Sequence, residues 1–454
     1  MKILLAACNA KYIHSNLAVF NLKACAKEYD SNVVLREYTI NQQKDDILKD
    51  IYRCHPDVIC ISCYIWNISI ILEVAEEFHK LCPKVPIWVG GPEVSYEVEA
   101  FLKEHPFITG VIIGEGEKTF SELCRYYVKG EGSLEEMKGI ALFDGAGNVQ
   151  IHESQEILDM NTIPFCYDLS EDFSHRIIYY ESSRGCPFRC SYCLSSVEKI
   201  LRFRDVEIVK RELQFFLDQK VKQVKFVDRT FNCDKKHAMA IWQYILGHDN
   251  GITNFHFEIA ADLLTDEEAD LIAKMRPGLI QLEIGVQSTH DETIREIHRH
   301  MDLKDVHQMM KKVQKAGNIH QHLDLIAGLP FEMFQNNIAF SLIGGIAVNS
   351  CNDTLAGIHG HFCEISQALF PCLMNVTTFS ISMAFQTLFR YFYVFRLLVT
   401  RHGGQLCFQF CHVSYRGTMN RFYCFIPAVP RYISGKKRTI GHTSLTRYNS
   451  TLYT

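Results

Sequence analysis

The chain has 454 residues, 47% of them hydrophobic and 22% charged, with a formal net charge of −5. That length and balance allow two or three packed domains, exclude global disorder, and leave no basic footprint of the kind a dedicated nucleic-acid binder carries. The 18 cysteines lack the spacing of a small disulfide scaffold, and the opening MKILLAACN is too short an apolar run for a signal peptide. Reduced thiols in a cytoplasmic protein are therefore expected, some as metal ligands and the rest as small buried hydrophobes.

Residues 1–150 alternate between two periodicities. KILLAACN, NVVLREYTI, DVICISCYI, PIWVGG and GVIIGEG read as strands, and helical stretches follow each of them, the first opened by Ser15 or Asn16 as N-cap. Alternation at this spacing predicts an α/β fold, a doubly wound, Rossmann-like parallel sheet. In such a sheet ligands bind beyond the carboxyl ends of the strands, here the loops Asn9–Asn16, Ser62–Asn67, Gly90–Val94 and Gly114–Glu117. Glycines there let a ligand approach the backbone, or serve only as tight strand-to-helix turns. No phosphate-binding glycine motif is present.

Taken in order, the Ser62–Asn67 loop, VGGPEVS and VIIGEGEKTF resemble the cobalamin-binding domain that precedes many radical S-adenosylmethionine (SAM) enzymes. The resemblance implies cobalamin contacts from Ser62, Gly90, Gly91, Gly114, Glu115 and Gly116. The D-x-H-x-x-G signature of many such domains is absent. His14 lies in the corresponding first loop without its Asp and Gly, so the lower face of the cobalt is expected to be empty or met by another side chain. The alternative is a scaffold that no longer takes the cofactor.

A polar connector, 151–174, precedes a second β/α series over 175–332. IIYYESSRG, QVKFVDRTF, NFHFEIAAD, LIQLEIGVQS and HQHLDLIAGLP read as strands, with helices between, one opened by Thr265 with Glu268 as its capping-box partner. This predicts a partial parallel (β/α) barrel with its functional residues at the carboxyl ends of the strands.

Cys186, Cys190 and Cys193 fall in the loop after the first of these strands. Three thiolates can hold three corners of a 4Fe–4S cube and leave the fourth iron open, as a catalytic metal needs. A structural zinc site wants four ligands, and no second cysteine pair lies nearby. The C-x3-C-x2-C spacing, with Tyr192 before the third cysteine, resembles the radical SAM signature. The resemblance implies that SAM binds the open iron and is cleaved to a 5′-deoxyadenosyl radical, with electrons from an external donor such as flavodoxin or ferredoxin. It further implies SAM contacts from Tyr192, Asp228, Glu258, Glu283, Gln287, Ser288, Asp324, Ile326 and Gly328. For the carboxylates the competing reading is a salt bridge lining the barrel. His298, His300, His307, His320 and His322 are spread over several elements and read as solvated or helix-face histidines. Arg202 and Arg204 read either as partners of an anionic ligand or as solvated loop residues.

The composition breaks near 332. Residues 333–454 hold only Asp353 and Glu364 of the 52 acids but ten of the 47 Lys and Arg. One reading is a membrane-associated tail around ISMAFQTLFRYFYVFRLLVT, although Arg390 and Arg396 interrupt it and no convincing transmembrane span results. The favoured reading is a frame shift at 331–335, leaving a poorly structured tail.

The whole resemblance, over 1–332, is to B12-binding-domain radical SAM enzymes. Methyl transfer to a small-molecule or peptide substrate is the expected reaction. Radical rearrangement, cyclisation or methylthio transfer is the alternative on the same scaffold, and an inactive iron–sulfur protein is the alternative of a different class.

Overall fold

A computed structural model of the chain describes residues 1–169, 173–197, 200–326 and 328–331, together with the backbone of four strands between 378 and 425. By packing, the chain divides into two compact units: 1–189 with 193–283 and 302–321, and 190–192 with 284–301 and 322–454.

The first unit opens with β1 (Ile3–Asn9), α1 (Leu17–Cys25), β2 (Val33–Thr39), α2 (Lys44–Arg53), β3 (Val58–Ser62), α3 (Ile68–Leu81), β4 (Ile87–Gly90), α4 (Val98–Glu104), β5 (Gly110–Ile112) and α5 (Glu117–Lys129). Asn16 is the N-cap of α1 and accepts from Val19 N, which settles the choice left by the sequence. The strands pair in parallel in the order β2-β1-β3-β4-β5. Reversal of strand order around β1 makes the β1/β3 edge the switch point, where a ligand can enter between the loops. Helix α1 packs on α5 and α2 on α3, and β1 and β3 are buried along their whole length. This is the double winding that the sequence predicts.

Beyond it the sheet gains two strands that the sequence does not announce. β6 (Ile140–Phe143) lies antiparallel to β5, and β7 (Val149–Ile151) antiparallel to β6. The DGAGN between them is a hairpin turn in which Asp144 accepts from Ala146 N and Asn148 N, both at 2.8 Å. Only Ile151, the last residue of β7, falls within the expected connector, which includes a single helical turn at Met160–Thr162.

The second sheet has the order β14-β13-β12-β11-β8, with β8 (Ile178–Tyr180), β11 (Gln223–Phe226), β12 (Asn254–Ile259), β13 (Ile280–Gln287) and β14 (His320–Leu325). β11 runs parallel to β8 and β12. The helices between are α6 (Val206–Asp218), α7 (Lys235–Gly247), α8 (Asp266–Ile272), α9 (Asp291–Glu296) and α10 (Leu303–Ala316). The Thr265–Glu268 capping box is present at α8. β11 is shorter than QVKFVDRTF implies, because Phe231 leaves the strand to pack on Phe226, Trp242 and Phe257. A two-stranded ribbon, β9 (Ser183–Arg184) with β10 (Arg202–Phe203), closes the base of the cysteine loop.

In the tail, β15 (Thr378–Thr387), β16 (Tyr391–His402), β17 (Gln405–Ser414) and β18 (Arg421–Phe425) form an antiparallel meander. The apolar stretch weighed as a membrane segment thus runs as two paired strands. The expected frame-shift junction at 332–335 lies outside the described residues. Among the described residues no helix is long and apolar enough to cross a membrane.

Candidate functional site

The cysteine loop leaves β8 under tight control. Asp228, two residues past β11, is fully buried and accepts hydrogen bonds from Ser182 N (3.0 Å), Ser182 Oγ (2.6 Å) and Ser183 Oγ (2.6 Å). Burial pushes its carboxyl up to about 6, and the three donors hold it from going higher. His237 on α7 lies 3.2 Å from Ser182 Oγ through Nε2. Asp228, expected as a SAM contact, thus holds the turn into the loop through Ser182 and Ser183. Gly185 begins the loop at φ 93°, where a Cβ would stand 2.4 Å from Ile200 O, so only glycine closes the ribbon.

Cys186, Cys190 and Cys193 are all free thiols. Cys186 Sγ lies 3.6 Å from Thr230 Oγ1, and the Cys193 carbonyl accepts from Ser196 Oγ at 2.7 Å. Among the described residues, no three His, Cys, Asp or Glu side chains stand close enough to share one metal ion. Three free thiols in C-x3-C-x2-C order along the chain are the donor type that a 4Fe–4S cube takes.

In the second unit, Cys190 is buried and Arg299 Nη1 donates toward its Sγ at 3.8 Å, while Arg299 Nη2 donates to Gly285 O at 2.5 Å. Ser191 N donates to Ile297 O at 2.9 Å. Arg299 was not singled out from the sequence, where it stands in a run of histidines; its position twelve residues past Gln287 carries no local signal. Gln287 adopts φ 70°, a left-handed conformation that side chains seldom take, and its carbonyl accepts from Ile326 N at 2.8 Å. Ser288 is fully buried and its Oγ accepts from His290 N at 2.9 Å. Ile326 packs with Ile294, Ile297 and Leu329, and Gly328 has φ 89°. Tyr192 is exposed and Asp324 half-buried.

Glu258 and Glu283, both expected as SAM contacts, share Lys225 on β11, at 3.4 Å and 2.8 Å from its Nζ. His256 Nε2 lies 2.9 Å from Glu283 Oε2. The hydrogen bond from His256, aided by Lys225, holds the Glu283 carboxyl down to about 2, while burial pushes that of Glu258 up. Both carboxylates thus form ion pairs with Lys225 along the sheet.

At the carboxyl end of the first sheet, Ser62 is buried, 3.5 Å from Asn16 Nδ2, and Asn67 donates to Cys8 O (2.9 Å) and Ser62 O (3.1 Å). Gly91, at φ 117°, is required by packing, since a Cβ would lie 2.4 Å from Cys63 O. Gly90 packs on Ile112, and Gly116 on Leu22. Gly114, at φ 72°, has open space where a side chain would stand. Exposed Tyr12, Ile65, Trp66 and Tyr96 follow β1, β3 and β4 at this same end, with Trp66 stacked on Tyr64 at 4.4 Å. An open glycine turn and exposed apolar and aromatic side chains at the same end of the sheet suit a large, flat, largely apolar ligand such as a corrin. His14 is taken up elsewhere, with Nδ1 2.6 Å from Tyr179 Oη. Glu115 is likewise engaged, by Arg202 and Arg184.

Residues 3–124 match the family model of the B12 binding domain, and residues 180–338 that of the radical SAM superfamily. In this order of matched regions the chain is similar to radical SAM proteins that carry a B12-binding domain. It is 25% identical over 300 residues to the cobalamin-dependent radical SAM methyltransferase TokK of Streptomyces tokunonensis, covering 61% of this chain and 43% of that protein. It is 28% identical over 301 residues to an uncharacterised methyltransferase of Pyrococcus horikoshii, covering 63% of each. It thus spans less than half of TokK and under two thirds of the archaeal relative. Its fold is that of OxsB, a cobalamin-dependent SAM radical enzyme solved with aqua-cobalamin and SAM bound (TM-score 0.61, 18% identity, 74% of this chain and 51% of that one). The fold is equally that of TsrM from Kitasatospora setae, a radical SAM methyltransferase solved with cobalamin and a 4Fe–4S cluster (TM-score 0.59, 17% identity, 76% and 73%).

Proposed function

We propose that the protein is a cobalamin-dependent radical SAM enzyme that methylates an unreactive carbon of a small-molecule or peptide substrate. The observation that carries this reading is the C-x3-C-x2-C loop, with all three thiols free, following the first strand of the second sheet and preceded in the chain by a B12-binding domain. When bound, the cluster supplies the electron that cleaves SAM, and cobalamin carries the methyl group.

Cys186, Cys190 and Cys193 would hold the cluster. Arg299, with its guanidinium beside Cys190, would hold the carboxylate of SAM, as a planar fork of donors suits a carboxylate. Asp228 fixes the turn into the loop through Ser182 and Ser183. The Gln287–Ser288 bend orders the end of β13 through the Ile326 and His290 amides. Gly114 and the aromatic rim would take the corrin. Electrons come from an external donor of the flavodoxin or ferredoxin kind, in a cytoplasmic setting.

The test is anaerobic reconstitution with iron and sulfide, then reduction and assay for products of SAM. Both 5′-deoxyadenosine and S-adenosylhomocysteine are expected from the wild type with cobalamin, and neither from the triple cysteine variant. Deoxyadenosine alone would move the reading to radical rearrangement or cyclisation. No SAM turnover by folded, cluster-loaded protein would overturn both.

A further inference from the structure

The ribbon that closes the cysteine loop carries an arginine on each strand, and both point at one turn of the first domain. Arg184, two residues before Cys186, donates through Nη2 to Glu117 and through Nε to Glu181 (2.9 Å), and its Nη1 lies 3.4 Å from Glu115 Oε2. Its register partner across the ribbon, Arg202, grips both oxygens of Glu115 and donates to Leu158 O at 2.8 Å. All five charged side chains are at most 19% exposed. A planar guanidinium that binds a carboxylate through two nitrogens fixes direction as well as distance. Glu115 and Glu117 flank Gly116 at the start of α5, next to the open Gly114 turn.

We infer that Glu115 and Glu117 form a clamp that fixes both ends of the cysteine loop to the first domain, with Arg184 and Arg202 as positioning residues. The GEGE turn then has two jobs. Its first glycine leaves room beside the expected corrin end of the sheet, and its carboxylates hold the base of the loop at that same turn. The importance of the clamp for catalysis rests on the function proposed above; its existence as a loop clamp does not.

Two measurements separate these. In the full chain without cofactors, hydrogen exchange of the amides of 185–201 should become about tenfold faster in Arg202→Gln and in Glu115→Gln, with β1 and β3 unchanged. Arg202→Lys, which keeps the charge without the fork, should fall between. Loop exchange that stays at the wild-type rate, or that rises only in step with β1 and β3, overturns the clamp. With the cluster reduced by one electron to its paramagnetic state and cob(II)alamin loaded, pulsed electron paramagnetic resonance should show one narrow separation between the two spins in the wild type and a broadened one in Arg202→Gln. An unchanged distribution overturns its catalytic role. A chain that takes up neither cofactor refutes the proposed function and leaves the exchange result standing.

Discussion

Replacing Asp228 by Asn tests whether this carboxylate holds the turn into the cysteine loop. It is fully buried, with three donors from Ser182 and Ser183, and burial lifts its carboxyl from an ordinary 3.8 to about 6. Between those two values the folded chain keeps a proton that the unfolded chain has released. The stability this supplies is complete below the unfolded value and is lost as pH rises through the folded one, a total of about 3 kcal/mol. Of that total, about 1.4 kcal/mol is lost between about pH 5 and about pH 7.5. Asn cannot titrate, yet its oxygen can still accept from Ser182 N, and the serine hydroxyls can turn to meet its amide. Asp228→Asn should therefore have a stability–pH curve flatter than the wild type by about 1.4 kcal/mol over that window. Urea unfolding of the reduced full chain at the two pH values measures this. Glu181, raised to about 7 mainly by burial and in part by the Asp228 charge, titrates in the same range, so the comparison is repeated in a Glu181→Gln background. Parallel curves for the two proteins would refute the assignment of a buried, proton-holding Asp228.

Cys186→Ala, Cys190→Ala and Cys193→Ala should each lose stable iron and sulfide after reconstitution, by colorimetric assay; normal loading in all three would sink the cluster assignment. Gly91→Ala places a methyl group 2.4 Å from Cys63 O at φ 117°, and should cost about 3 kcal/mol in urea unfolding. A cost under about 1 kcal/mol would mean that the β3 and β4 loops yield more easily than their packing implies. Resequencing around codon 332 in independent isolates should reveal a shift of frame, and an intact frame would make 333–454 a genuine part of the protein.

What could be read from the sequence was local. Alternating periods located ten strands and most of the helices, the Thr265–Glu268 pair marked its own helix start, and the cysteine spacing carried its chemistry within eight residues. The hairpin of β6 and β7 was hidden because DGAGN looks the same in a linker and in a turn. The six-residue α9 was too short to show a period. The partners of the charged residues were not legible. Glu115 has the position of a ligand contact in its own loop, and what it binds lies 87 residues away. Glu283 lies on the strand that resembles the ribose-binding one, and Lys225 and His256, from two other strands, stand 2.8 Å and 2.9 Å from its Oε2. A buried carboxylate is costly until it is paired, so its partner decides whether it remains available to a ligand. That partner is set by the tertiary fold. The sequence therefore shows where carboxylates gather near a candidate site, and only the folded chain shows that Asp228, Glu115 and Glu283 have partners in the scaffold and that Arg299 stands beside Cys190.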